Sequence, residues 1–71
     1  MDLRMTLAHL AEAERHIALG EGHIARQIEI IGALACGGHL TELATYVLDT
    51  YRELQTTHLA HRDRIRKELE Q

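Results

Sequence analysis

The 71-residue chain contains no proline, tryptophan or phenylalanine and only two tyrosines. Its apolar content is carried by Leu, Ile and Ala, which suits helices packed on helices better than a sheet. There is no excess of positive charge: the formal net charge of −3 argues against a binder that recognises nucleic acid through overall basicity. Six histidines complicate that balance, because protonating all of them would reverse its sign. A single cysteine, Cys36, excludes an internal disulfide and fits a reduced, cytoplasmic protein. The most apolar stretch, Ile28 to Cys36, is interrupted by Glu29 and is far too short to span a bilayer, so no membrane association is expected. The opening residues carry Asp2 and Arg4 and no apolar run, which is unlike a signal peptide.

What is present is periodicity. Leu3, Leu10, Ile17, Ile24 and Ile31 recur every seven residues, with Leu7, Ile28 and Ala35 extending the same side. A strict seven-residue apolar repeat is a helical stripe inclined to left-handed supercoiling. The pattern breaks at Cys36-Gly37-Gly38-His39-Leu40, where Gly37 is expected to take the left-handed conformation that ends a helix and Gly38 to let the chain reverse. Thr41 then reads as an N-cap, with Glu42 in the positive first turn. The second stripe runs through Leu40, Ala44, Val47, Tyr51, Leu54, His58, His61 and Ile65, with Leu43, Leu48 and Leu69 on its shoulder. The expected fold is all-α: one domain over residues 1–71, with a helix over about 3–36, a turn at 37–40 and an antiparallel helix over about 41–70.

The first helix also carries a local repeat. Glu14-Arg15-His16-Ile17-Ala18 returns as Glu21-Gly22-His23-Ile24-Ala25, and Ala11, Ala18, Ala25 and Gly32 form a stripe of small residues. Such a stripe admits a close neighbour, although alanine's helix propensity explains it equally well. Gly20 and Gly22 each cost about 1 kcal/mol relative to Ala in a helix interior, so a packing role or a slight bend is expected of them.

A layer of two helices leaves one side of its apolar seam open to water. Pairing two hairpins into a homodimeric four-helix bundle closes it, with a tetramer as the larger alternative. The expected contact residues are Leu10, Ile17, Ile24, Ile28, Ile31, Val47, Tyr51 and Leu54.

The stretches AEAERHIALGEGHIARQIEIIGALACGGHLTELA and LQTTHLAHRDRI resemble a group of small helical-hairpin proteins abundant in soil alphaproteobacteria of the rhizobial type. The likeness rests on His16-Ile17, His23-Ile24, Gly20, Gln27, Gly38-His39, Thr41, His58 and Arg62-Asp63-Arg64, while Gly22 stands where a charged residue is more usual. It implies a bacterial, cytoplasmic protein and carries no activity to transfer.

Histidines invite a metal reading. His9, His16 and His23 are spaced about 10.5 Å apart along a helix axis, too far to share an ion. His58 and His61 have a workable spacing, and counting outward from the turn places Ile17 opposite them, with Glu14 and Glu21 within a turn either way. That set would suit zinc or another first-row divalent ion, whereas a buried Glu/His layer that only fixes register is the plainer account. Dimeric hairpins with an exposed histidine also resemble the dimerisation modules of sensor kinases, which place an acidic residue directly after the phosphoacceptor. Here Leu10, Ile17, Ile24, Leu40, Leu59 and Arg62 follow the six histidines, which argues against phosphotransfer. The basic run from His61 to Lys67 contains Asp63 and no aromatic residue for stacking, so it reads as a solvated helix end. The leading expectation is a non-enzymatic homo-oligomeric module acting through protein–protein contacts, without a cofactor. The alternative is a small metal-binding or metal-sensing protein using the Glu14, Glu21, His58 and His61 layer.

Overall fold

A computed structural model describes residues 2–71. Two antiparallel helices, α1 (Leu3–Cys36) and α2 (Glu42–Leu69), pack along each other, and no strand occurs among the described residues. The result is a rod of 54 × 14 × 13 Å with a radius of gyration of 16.4 Å. A compact domain of this length would have a radius near 11 Å.

A polar side chain sets the start of α1 but not that of α2. Asp2, which lies outside the apolar repeat, caps α1: its Oδ1 accepts from the backbone N–H groups of Arg4 at 3.0 Å and Met5 at 3.4 Å. Those donors have no partner within the helix, so the carboxylate satisfies them and complements the positive helix end. Thr41 occupies the N-cap position of α2, as its sequence context predicts, but its hydroxyl makes no capping hydrogen bond. Glu42 lies in the first turn, and Arg66 and Lys67 in the last.

The turn corrects one expectation. Gly37 has φ −82°, an ordinary helical value, and it is Gly38, at φ +74°, that takes the left-handed conformation. The His39 N–H donates to the Leu34 carbonyl at 2.9 Å, and the Gly38 N–H to that of Ala35 at 3.1 Å. This pair of bonds is the Schellman closure of a helix end, which requires positive φ at the residue that Gly38 supplies. Gly38→Ala is expected to lower unfolding free energy by about 1 kcal/mol with helicity retained, because only the left-handed residue is penalised. Urea titration followed by circular dichroism checks it, and an unchanged midpoint would show that the turn can relax.

Spacings of three and four residues define the seam between the helices. From α1 it takes Thr6, Leu10, Ala13, Ile17, Gly20, Ile24, Gln27, Ile31 and Leu34, all buried or half-buried. From α2 it takes Ala44, Leu48, Tyr51, Gln55, His58, Arg62, Ile65 and Leu69. The α2 seam is therefore rotated from the expected stripe: Leu48 and Gln55 are buried, whereas Leu54 is 50% exposed. Buried apolar residues number only Ala13, Ile17, Leu48 and Ile65 among those described, too few to explain α2's wider apolar stripe.

Two glutamines lock the register. Gln27 Nε2 donates to the Ala44 carbonyl at 2.9 Å, and Gln55 Nε2 donates to the Ile17 carbonyl at 2.9 Å. Each reaches from one helix to the backbone of the other, so sliding by a turn would strand a buried amide. Gln55 lies flat against α1 because Gly20 has no side chain. A Cβ there would collide with the amide oxygen of Gln55 and come within 2.8 Å of its Cδ. Gly22, by contrast, faces open space.

Candidate functional site

One face of the hairpin carries rings from both helices. On α1, His9, His16 and His23 recur at seven-residue intervals beside the seam, and on α2 Tyr51, His58 and His61 answer them. The His23 and Tyr51 rings stack with centroids 5.5 Å apart at 23°, and the His16 and His58 rings lie 5.5 Å apart at a tilted 53°. Between these ring pairs opens a cleft of about 340 Å³, lined also by Leu19, Gly20, Leu54 and Gln55. It exists because Gln55 folds inward onto the bare backbone of Gly20, leaving room between the rings. A second hollow follows along the same face, where His9, Glu12, Ala13, His16 and His61 meet. His16 Nε2 stands 3.9 Å from Glu12 Oε1, an ion pair only when the imidazole is protonated and exposed enough to be weak.

The layer expected from Glu14, Glu21, His58 and His61 is not gathered within the chain. Among the described residues no three His, Cys, Asp or Glu side chains lie close enough together to hold a metal ion. Glu14 and Glu21 are exposed and line neither hollow, while His58 faces His16. The physical reason is rotational: Glu14 and Glu21 follow the apolar positions Leu10 and Ile17 by four residues, on the flank away from the rings. Counting outward from the turn gives the correct height along the rod but not the side.

The expected contact residues divide in the same way. Ile17, only 6% exposed, is consumed by the chain's own seam, and Leu10, Ile24 and Ile31 sit half-buried along it. Val47 and Tyr51 are half-buried at the ring-bearing face. Leu54 and Ile28 are about half exposed, at 50% and 49%. Cys36 is exposed. At the basic end of α2 the Arg62 guanidinium donates to Asp63 Oδ1 at 3.0 and 3.1 Å, which offsets part of that run's positive charge.

No described helix is long and apolar enough to cross a membrane. Comparison with protein-family models, curated proteins and solved structures returned no match.

Proposed function

We propose that the chain is a non-enzymatic helical module that assembles with copies of itself, a homodimeric four-helix bundle being the simplest form, and acts through protein–protein contacts. The supporting observation is surface. A compact monomer of 8.1 kDa exposes about 4,500 Å². This chain exposes 5482 Å². The surplus, about 1,000 Å², is close to the roughly 800 Å² that each partner of a stable interface removes from water. Much of it is apolar: Leu3, Met5, Leu7, Leu19, Ile28, Leu40, Leu43, Tyr46 and Leu54 are each about half exposed or more. Association is the direct way for a two-helix layer to cover such groups. A bacterial cytoplasm suits an exposed, unpaired Cys36.

Sedimentation equilibrium at micromolar concentrations is the test. The expected mass is twice 8.1 kDa or a larger multiple, falling on dilution together with helicity. A fully helical monomer across that range would overturn the proposal.

A further inference from the structure

We infer that the second copy docks on the ring-bearing face, with Leu54 seated over the cleft between Tyr51 and His58, and that the opposite face stays in water. The inference rests on the self-assembly proposed above and specifies its surface.

The two faces differ in charge. Positions flanking the seam on the ring-bearing side are His9, His16, His23 and Ile30 of α1 with Val47, Leu54, His61 and Glu68 of α2. With neutral imidazoles, formal charge enters these helix positions only at Glu68, near the end far from the turn, while Glu12 stands farther out beside the second hollow. Flanking positions on the other side include Glu14 and Glu21 of α1 with Arg52 and Arg66 of α2. Charged groups are depleted from the buried centre of interfaces, because desolvating them costs more than rim contacts return. Leu7 and Ile28, the exposed aliphatics of that second face, are about 30 Å apart along α1 with Glu14 and Glu21 between them. Leu19 and Leu54, 61% and 50% exposed, instead meet in a single cleft with Tyr51.

The shape of α2 points the same way. Its apolar stripe is wider than its contact with α1 uses, and the unused part, Val47 and Leu54, lies toward the rings. A helix with apolar groups on two adjacent flanks packs against two neighbours, and only one is present within the chain. The cleft supplies the matching hole, walled by the rings of His16, His23, Tyr51 and His58 and open to one side. A twofold arrangement forms the same knob-into-hole contact twice, so each copy both fills and offers a cleft.

Charge insertion and thiol protection test this. Leu54→Asp is expected to weaken the assembly about a thousandfold, because the carboxylate is buried at two symmetric places. Ile28→Asp is expected to stay within about tenfold of the native dissociation constant, as rim substitutions do. Since a charged variant that dissociates also loses helicity, the second arm keeps the native charge. Leu54→Cys and Ile28→Cys are each made in a Cys36→Ala background and alkylated at a concentration where the chain is associated. The thiol at position 54 is expected to react about tenfold more slowly than that at 28, in line with burial at an interface core. Faster reaction at 54, or loss of association with Ile28→Asp alone, would move the interface to the other face and leave self-assembly standing. A native chain that sediments as a folded monomer would overturn both, leaving the cleft to a different partner.

Discussion

Ile17→Asp is expected to abolish the folded state, with helicity lost at every concentration where the native chain is helical. Ile17 is 6% exposed at the middle of the seam, and its own carbonyl accepts the buried Gln55 amide. Removing the isoleucine forfeits about 2–3 kcal/mol of apolar burial. The new carboxylate must either be desolvated beside Gln55, whose Oε1 already lacks a partner, or separate the helices. Either route costs several kcal/mol, against a total stability of about 4–10 kcal/mol for a chain of this length. Ile17→Val, losing one methylene, is expected to cost about 1 kcal/mol and stay folded, which separates charge burial from lost volume. Circular dichroism with thermal melts decides the matter. A cooperatively melting Ile17→Asp variant would place Ile17 outside the seam and would contradict the register set by the two glutamines.

That register shows where the sequence was informative and where it was not. The helices and their break were legible because a seven-residue repeat of Leu and Ile is hard to mistake, and Gly37-Gly38 interrupts it. Which of the two glycines turns left-handed was not, since either could in principle close the helix. For α2 the difficulty was physical. Its seam ladder is mixed: Leu48, Gln55, Arg62 and Leu69 recur every seven residues, as do Ala44, Tyr51, His58 and Ile65. Hydropathy alone therefore centres the stripe on Val47 and Leu54, which point toward the ring-bearing face, and overlooks Gln55, which points inward. The signal that finds Gln27 and Gln55 is spacing, not polarity: both fall on the repeat that carries each helix's buried positions. The candidate metal layer is divided between the two flanks within the chain, Glu14 and Glu21 on one and His58 and His61 toward the other, for a related reason. Height along a hairpin follows from counting residues, whereas the side of a side chain depends on the phase of each helix, and that phase for α2 was set by Gln55 rather than by Leu54.

Gly20 and Gly22, alike in sequence, are expected to respond to alanine with opposite signs. Gly22 faces open space, so Gly22→Ala relieves the backbone entropy cost of glycine at no steric expense and should raise stability by about 1 kcal/mol. Gly20 is covered by Gln55, so a methyl group there must displace the amide. Overpacking costs about 1–3 kcal/mol and loss of the Gln55–Ile17 hydrogen bond about 1 more, which outweighs the helix-propensity gain. The net expectation for Gly20→Ala is a loss of about 2 kcal/mol. For a domain of this size these values correspond to melting shifts of roughly 5 °C upward and 10 °C downward, compared at one protein concentration. A double-mutant cycle isolates the cause. In a Gln55→Ala background the obstruction is gone, so Gly20→Ala should become neutral or stabilising, with a coupling of about 2–3 kcal/mol between the positions. Gly22→Ala should be indifferent to that background. If Gly20→Ala destabilises equally with and without Gln55, the glycine serves some need of α1 itself, such as a bend, and the inward-folded glutamine is not what requires it.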